Sequence, residues 1–576
     1  MNYATCLKKL SPAWGGYAKC QCGGKIRQKK RKYDGWIIVS IIIFLLFVLF
    51  LIYPLLGILK ASVIDLKGNF GFKQFVKFFS QAYYIKTIFN SFKVSLAITI
   101  CTLLIGIPLS YFYTFYNLKG SKFLFVISIL CNMSAPFIGA YSWILLLGRS
   151  GAITTFFRNK LGMEIGSIYG FDGILLVQSL KLFPLVFIYM NGAFRNIDNT
   201  LMEASSNLGC VGIKRFFRVV LKLSMPTILA ASLIVFMRAF ADFGTPVLIG
   251  EGYRTFPVEI YNQYVGDTST DHNFAAAISV IAIVITALVF FIQKWATSKY
   301  DFSLNALHPI EKKQPKGLSG FLMYAYSYIL VIVAFIPQLY VIYLSFRNCD
   351  QAVFKEGYSL VNYQLAVSKL LGRSIKNTFF LSFSSLAIII LLAILIAYLV
   401  VRRPNIINNS IDTMSMLPYI MPGSVIGIAL VMAFDSKPLI LTGTMMIMIV
   451  SFVIRRMPYV IRSATATLIQ IPMSIEEASI SLGTSKIKTF FKITVPMMTN
   501  GILSGAILSW VSLITELSSS IILYNNKTIT LTMSAYVAIS RGNYGLACAF
   551  SSILTLLTSI ALLVYLLISK SEDLKM

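Results

Sequence analysis

Charged side chains inside long apolar runs are the residues of this sequence best placed to do chemistry. Arg238 and Asp242 stand four residues apart in one run, so a helix would present both on one face. Glu516 lies in a later run, at the position equivalent to Asp242 in an internal repeat. Charges in such runs are costly and usually face a cavity or a partner. Either the two carboxylates meet a cation on a central pathway, or Arg238 and Asp242 form a structural ion pair.

Three further basic residues and two prolines interrupt other apolar runs. Lys181, Arg455 and Arg456 lie near the predicted inner ends of their runs. They either extend to the surface along their own helices, as long basic side chains often do, or line an inner gate. Pro136 and Pro422, each closely followed by glycine, predict breaks that form hinges or widen a cavity.

The sequence contains few residues that could form a disulfide framework, a metal site or a nucleotide-binding loop. The chain has 8 cysteines and 2 histidines, and the cysteines are scattered, which does not suit a disulfide framework or a histidine-based metal site. Cys20 and Cys22, with Cys6 upstream, form only a lone CxC pattern, a weak signal for a soft metal. No GxxxxGK[ST] phosphate loop occurs. We therefore expect no catalytic residue, no metal site and no cofactor of its own.

Composition indicates that the elements holding these residues are transmembrane helices. Of 576 residues, 57% are hydrophobic and 13% are charged, too few charges for the surface of a soluble protein of this size. Apolar runs long enough to cross about 30 Å of hydrocarbon recur throughout. The sequence predicts an all-α polytopic membrane protein with about twelve spans. Their cores are 36–58, 89–115, 123–148, 171–192, 226–250, 273–293, 319–345, 377–401, 411–433, 440–462, 498–523 and 544–568.

The basic residues predict orientation rather than a nucleic-acid partner. The polar head before the first run ends in RQKKRK and is too long for a cleaved signal peptide, so the first span is retained with a cytoplasmic N-terminus. An even number of spans also places the C-terminus in the cytoplasm. The net charge of +29 is spread over many short loops, as positively charged inner loops require.

The chain reads as two homologous halves. Asn90-Ser91 and Ser110-Tyr111 match residues 287 positions later, and a constant offset of 274 then pairs Lys181 with Arg455 and Asp242 with Glu516. A polar, proline-containing segment between spans six and seven divides the halves. The predicted organisation is a basic tail (1–35), repeat 1 (36–295), a cytoplasmic linker (296–317), repeat 2 (318–570) and a short tail (571–576).

One polar stretch is written twice on the predicted cytoplasmic side, as TLMEASSNLG and SIEEASISLG. Thr200 to Glu203, like Ser474 to Glu477, fits a capping box at the start of a helix. A glycine follows each stretch where a helix would end in a left-handed residue. Basic, aromatic segments (IKRFFR and IKTFFK) come next and suit the membrane interface. Two copies in register predict an interaction surface for a twofold partner.

These stretches resemble the "EAA" loop of permease subunits of ABC-type importers. The second copy also keeps a proline at the expected place, Pro496, whereas the first has Lys222 there and Pro226 one helical turn later. In that family the loop is a coupling helix that docks on a cytoplasmic ATPase. The resemblance implies a fold of two six-helix repeats, an ATPase dimer that uses ATP and Mg, a substrate-binding protein, and the inner membrane as location. The implied coupling residues are Glu203, Ala204, Ser205, Gly209, Glu477, Ala478, Ser479 and Gly483.

The fusion of both halves in one chain most resembles the ferric-iron importer group. ADFGTPVLIGEGYRTFPVEIYNQYVG and RRMPYVIRSATATLIQIPMSIEEAS carry that resemblance. Thiamine, polyamine and organophosphonate permeases remain alternatives for the substrate. A secondary transporter driven by ion gradients is the rival class, since such proteins also contain repeated halves. A structural membrane scaffold is the third alternative.

Overall fold

The first half of the chain is helical from its first span onward. The computed structural model describes residues 35–64, 68–133, 136–164, 166–266, 271–299, 308 and 310–568. The predicted tails, including Cys6, Cys20 and Cys22, lie almost wholly outside these residues. The helices of this half are α1 (Gly35–Val63), α2 (Lys73–Ser80), α3 (Ala82–Phe115), α4 (Ser121–Met133), α5 (Pro136–Leu147), α6 (Ala152–Phe156), α7 (Phe171–Arg195), α8 (Asn199–Asn207), α9 (Gly212–Leu223), α10 (Met225–Phe240), α11 (Gly244–Ile249), α12 (Phe256–Val265) and α13 (His272–Lys299).

The second half repeats this order and adds one small β-hairpin. Its elements are α14 (Gly317–Ser345), β1 (Arg347–Asp350), β2 (Val353–Tyr358), α15 (Val361–Arg402), α16 (Ile406–Ile420), α17 (Gly423–Phe434), α18 (Met445–Gln470), α19 (Met473–Ser481), α20 (Lys486–Met497), α21 (Thr499–Ile514), α22 (Ser520–Leu523), α23 (Leu531–Ser540) and α24 (Tyr544–Ile568). β1 and β2 pair antiparallel in a two-stranded hairpin, and the helical remainder of the described chain confirms the predicted fold class.

The helices account for nearly all of the predicted spans. Among the described residues, 7 helices are long and apolar enough to cross a membrane, and counting each bent pair as one span raises the number to 11. Most of the tenth predicted span, 440–462, lies in α18, a 26-residue helix outside that set that begins at Met445. α18 carries Arg455, Arg456 and Arg462, and it occupies the place in repeat 2 that α7 holds in repeat 1.

The two halves bend at equivalent residues. α9 and α10 meet at an angle of 74° around Ser224, and α20 and α21 meet at 66° around Met498. These two residues are related by the 274-residue offset, so the missing proline at Lys222 does not move the bend. α16 and α17 meet at 113° next to Pro422, which confirms the predicted break in that span. Pro136 begins α5 after residues that lie outside the described chain.

The first span of each half packs against the other half. α1 contributes Trp36, Ile43 and Phe47 to a core formed mostly by repeat 2. The Trp36 ring lies 4.7 Å from Tyr398 of α15, centroid to centroid. In the same way, α14 of repeat 2 packs on α4 and α5 of repeat 1. This exchange joins the halves, and neither repeat contains its whole core.

Small residues bring the central helices close together. A Cβ atom on Gly106 of α3 would lie 2.7 Å from Cβ of Val186 on α7. A Cβ atom on Gly505 of α21 would lie 2.7 Å from Cα of Val460 on α18. Close backbone approach at small residues is the usual means of packing helices in lipid, where the hydrophobic effect does not drive them together. The cavity described next lies between these tightly packed pairs.

Candidate functional site

The predicted pathway and gate residues converge on one cavity between the halves. It has a volume of about 690 Å³ and is lined mainly by α7, α10, α16, α18, α21 and the segment after α21. Six residues singled out from the sequence line it: Lys181, Arg238, Asp242, Arg455, Arg456 and Glu516.

Asp242 lies just beyond the end of α10 and is held by residues of its own half. Its carboxylate accepts hydrogen bonds from Gln178 Nε2 at 2.9 Å and from the Thr245 backbone N–H at 3.1 Å. Lys181 Nζ lies 3.8 Å from Asp242 Oδ1. Of the two alternatives, the structural ion pair between Arg238 and Asp242 is therefore wrong: α10 ends at Phe240, so the i,i+4 helical spacing is lost before Asp242.

Glu516 repeats this arrangement in the second half with a stronger cation set. Its two carboxylate oxygens bind Arg455 and Arg456, and Oε1 also accepts from the Ser519 backbone N–H at 3.2 Å. Arg455 is the repeat equivalent of Lys181, and Ser519 is that of Thr245. Each carboxylate thus accepts a hydrogen bond from a backbone N–H three residues later, where the helix has ended. Each also forms an ion pair with a basic side chain of a neighbouring helix, α7 or α18. Neither carboxylate is left free to receive a cationic ligand.

Arg238 is the residue that joins the halves across the cavity. Its Nη2 donates to the hydroxyl of Tyr459 at 2.9 Å and to that of Tyr419 at 3.2 Å, both in repeat 2. Among the described residues it has no carboxylate partner. A charge held only by neutral hydroxyl groups inside a membrane bundle is costly, because hydroxyl dipoles replace only part of its hydration.

The three basic side chains are mostly buried and do not extend to the surface at the ends of their helices. Side-chain exposure is 18% for Lys181, 11% for Arg455 and 19% for Arg456. α7 continues to Arg195, so Lys181 lies about 21 Å from the C-terminal end of that helix at 1.5 Å per residue. Snorkelling is therefore wrong for these residues, since they are ion-paired in the middle of the bundle. Their role as an inner gate stays a prediction.

Gly423, beside the break at Pro422, is packed directly against the charged cluster. A Cβ atom there would lie 2.7 Å from Arg455 Nη1 and 2.4 Å from Ser518 Cβ. The absence of a side chain lets the guanidinium reach Glu516 past the start of α17. The predicted break thus has a packing role at the cavity; a hinge motion stays a prediction.

The two EAA-like stretches form equivalent short helices, α8 and α19, which we call the docking helices. Gly209 and Gly483 follow them with φ of 72° and 89°, in the left-handed region as predicted. Cys210 N–H donates to Ser205 O at 2.8 Å, and Thr484 N–H donates to Ser479 O at 3.1 Å. Both helices therefore end in the same Schellman motif, in which two backbone N–H groups bind the last free carbonyls.

The predicted capping boxes at the start of these helices are wrong. The cap of α8 lies two residues before Thr200, at Asp198, which accepts from Thr200 N–H at 2.9 Å. α19 follows Pro472 and has no side-chain cap. Glu203 binds Asn199 Nδ2 at 2.8 Å instead of reaching back to the backbone. The motif failed because both helices begin before the hydroxyl residue, which leaves that residue inside the first turn.

The outward faces of the docking helices match residue for residue. Glu203, Ala204, Glu477 and Ala478 are exposed. Ser205 and Ser479 are buried. The leucine before each terminal glycine, Leu208 directly after α8 and Leu482 directly after α19, is 86% and 87% exposed. A leucine projecting so far at the same position of both copies, beside a small-residue surface, is typical of a binding face for another protein.

The two helices are supported from behind by different chemistry. Under α19, Glu476 is buried and accepts from Arg402 Nε at 2.8 Å. Arg402 also donates to the carbonyl of Ile471 at 2.7 Å. Under α8 the equivalent positions are Met202 and Phe115, both buried in an apolar cluster.

The first docking helix also carries the end of the linker. His308 N–H donates to Asp198 Oδ2 at 3.2 Å, and Asn199 N–H donates to the His308 carbonyl at 3.1 Å. Lys313 exchanges backbone hydrogen bonds with the residues that end α3. Burial, followed by the charge of Arg195, lowers the pKa of Lys312. The described part of the linker is thus packed on repeat 1 beside α8.

Several contributing residues were missed from the sequence. Tyr419, Tyr459 and Gln178 supply the neutral hydrogen-bonding groups of the cavity. The buried Glu476 was available in the motif itself, which has two adjacent glutamates where the first copy has Met-Glu. Its pairing with Arg402 could not be predicted from a local sequence pattern, because the two residues are 74 positions apart.

Comparison with known proteins agrees with the duplicated architecture. The family model "Binding-protein-dependent transport system inner membrane component" matches residues 103–302 and 389–571. The chain is 29% identical over 539 residues to the ferric transport system permease protein FbpB of Actinobacillus pleuropneumoniae, covering 91% of this chain and 77% of that protein. It is 28% identical to a putative ferric transport system permease protein FbpB 1 of Haemophilus influenzae, covering 89% and 82% of the two chains.

A single-repeat relative matches only half of the chain. The spermidine/putrescine transport system permease protein PotB of Haemophilus influenzae is 28% identical over 267 residues, which are 44% of this chain and 90% of that protein. The family model matches twice, and together the two matches cover most of the chain. The chain therefore belongs to the family of binding-protein-dependent transport system inner membrane components, as a fusion of two copies of the family's domain.

Proposed function

We propose that this chain is the transmembrane permease subunit of an ATP-driven importer, in which α8 and α19 are the coupling helices. The observation that carries the proposal is the matched outward face of these two helices, each with an exposed Glu-Ala pair, a projecting leucine and a Schellman end. A dimer of ATPase subunits offers two equivalent grooves, and one chain with two equivalent helices fits it.

Each docking helix is well placed to pass movement to the cavity. α8 is followed by α9, which bends into α10, and α10 carries Arg238 at the cavity. α19 is followed in the same way by α20 and by α21, whose end leads to Glu516. We propose that ATP binding closes the ATPase dimer, draws the docking helices together and opens the cavity outward. ATP and Mg are used by the partner subunits, and a substrate-binding protein delivers the cargo.

Ferric iron is our first candidate for the cargo. The two relatives named as ferric transport permeases match about nine-tenths of this chain, whereas the spermidine/putrescine permease matches one half. A polyamine would also bring several positive charges to a cavity lined by five cationic side chains. Thiamine and organophosphonates remain second candidates.

The rival class, an ion-driven secondary transporter, lacks a use for the docking helices. Uptake would be measured in proteoliposomes that hold this chain, the ATPase and ⁵⁵Fe-loaded binding protein. We expect uptake only with hydrolysable ATP, unaffected by collapse of proton and sodium gradients. Uptake that continued without the ATPase and stopped with the gradients would favour the rival class. ATP-driven uptake of thiamine or of a phosphonate, without iron uptake, would retain the mechanism and replace the cargo.

A further inference from the structure

The cavity between the halves carries more positive than negative charge. Its lining contains five cationic side chains and two carboxylates, which gives a formal charge of +3. Asp412, which is not part of the lining, lies 3.4 Å from Arg462 and lowers the excess to +2. The five cationic residues are Lys181, Arg238, Arg455, Arg456 and Arg462.

The hydrogen-bond pattern assigns this excess to particular groups. Asp242 is engaged by Lys181 and by a backbone N–H group, so this pair is neutral. Glu516 is shared by Arg455 and Arg456, so one positive charge remains there. Arg238 supplies the second, because its described partners are two tyrosine hydroxyl groups.

Unused donors accompany these charges. The Nε atoms of Arg455 and Arg456 are buried and have no hydrogen-bond partner among the described residues. Buried polar groups normally find partners, and buried unpaired charges in a membrane bundle are rare and functional. Guanidinium groups offer several donors in one plane and match two oxygen atoms of a carboxylate or phosphate. The guanidinium groups that line the cavity therefore suit an anion with oxygen acceptors.

We propose that this cavity binds an oxyanion group, with Arg238 and Arg456 as the principal contacts. This rests on the proposed importer function and specifies its cargo. The cargo crosses as a carboxylate, phosphate or phosphonate, or as a metal ion enclosed by such ligands. A bare trivalent cation does not occupy the cavity, because both carboxylates already have cationic partners and the excess charge repels it.

Binding to the full chain in lipid nanodiscs, without its partners, tests this directly. The probes are citrate, inorganic phosphate, ferric citrate and hexaamminecobalt(III), a trivalent cation without oxyanion ligands. Calorimetric titration should detect citrate or phosphate and should not detect hexaamminecobalt(III). Arg238→Gln combined with Arg456→Gln should weaken oxyanion binding at least tenfold, since each removes a charge-assisted contact. Arg456→Gln leaves Glu516 paired with Arg455.

Two control variants separate site binding from folding and from general basicity. Arg238→Lys keeps the charge and should bind more tightly than Arg238→Gln. Lys369→Gln removes an exposed basic residue that is not part of the cavity lining and should bind like the original chain. Ferric citrate bound more tightly than citrate would identify a metal complex as cargo, and equal binding would identify a free oxyanion.

The proposal is overturned if hexaamminecobalt(III) binds and the oxyanions do not, or if the double Gln variant binds oxyanions as tightly as the original chain. The same preparations would be tested for co-purification of the ATPase. Retained ATPase binding with no oxyanion binding refutes only the oxyanion site. Oxyanion binding without ATPase binding refutes the importer function and leaves the site.

Discussion

The two docking helices present the same face and are supported in opposite ways. α19 is held by a buried ion pair, Glu476 with Arg402, whose side chains are 7% and 8% exposed. α8 rests at the equivalent positions on Met202 and Phe115, which are buried and apolar. Yet one contact behind them is common to both: the Tyr111–Phe216 and Tyr398–Phe490 rings pack edge to face at 4.8 and 4.7 Å.

This difference separates the features that we expect to contact a partner from those that only stabilise the fold. The outward Glu-Ala pair, the projecting leucine and the left-handed glycine are retained in both copies. The support behind them has diverged between charge and packing, as core positions can when the position of the backbone is preserved. We therefore expect changes in the support to alter stability and changes in the outward face to alter docking.

The largest effect on stability is expected from breaking the buried ion pair. Arg402→Met leaves Glu476 buried without its cation and should destabilise the protein by about 3–5 kcal/mol. Adding Glu476→Met would give α19 the apolar support that α8 has, and should recover most of the loss. Thermal unfolding in detergent would measure both variants. Lys492→Met, at an exposed basic residue of the following segment, is the control and should change stability by less than about 0.5 kcal/mol. A double variant no more stable than Arg402→Met would contradict the equivalence of the two supports.

A smaller and equal effect is expected at the two terminal glycines. Gly209→Ala and Gly483→Ala each force a side chain into the left-handed region, at a cost of about 1–2 kcal/mol. Hydrogen exchange of the amides in α8 and α19 would show faster opening of the altered helix only. Unequal costs would mean that the Schellman ends are not the same device in both copies.

The smallest effect distinguishes the starts of the helices. Asp198→Ala removes the cap of α8 and its contact with the linker, at a cost of about 1 kcal/mol. α19 has no side-chain cap to lose, so its exchange rates should stay unchanged. Faster exchange in both helices would contradict the assignment of this contact to repeat 1 alone.

The sequence predicted the repeats, the membrane class and the residues of the cavity, because these depend on composition and on register along one chain. It failed where partners are chosen across space. Helical spacing allowed an ion pair between Arg238 and Asp242 as one alternative, but the helix ends between these residues. The packing of α1 and α14 against the opposite halves could not be predicted, because the sequence of an apolar span does not indicate which neighbouring helix it packs against.

The capping boxes failed for a related reason. A hydroxyl residue followed by glutamate three positions later is compatible with the first turn of a helix as well as with its cap. The helix starts are instead determined by residues before the motif: Asp198 caps α8, and Pro472 immediately precedes α19. The sequence likewise identified the charged residues of the cavity but not their ion pairs, because Glu516 binds residues 60 and 61 positions away.

Co-purification of the ATPase with docking-helix variants tests the central claim most directly. Glu203→Arg or Glu477→Arg alone should weaken ATPase binding, and the double variant should abolish it while leaving the chain in the membrane at normal levels. Lys369→Glu, an exposed charge reversal away from the docking helices, should bind the ATPase normally. Full ATPase binding by the double variant would contradict the assignment of α8 and α19 as coupling helices.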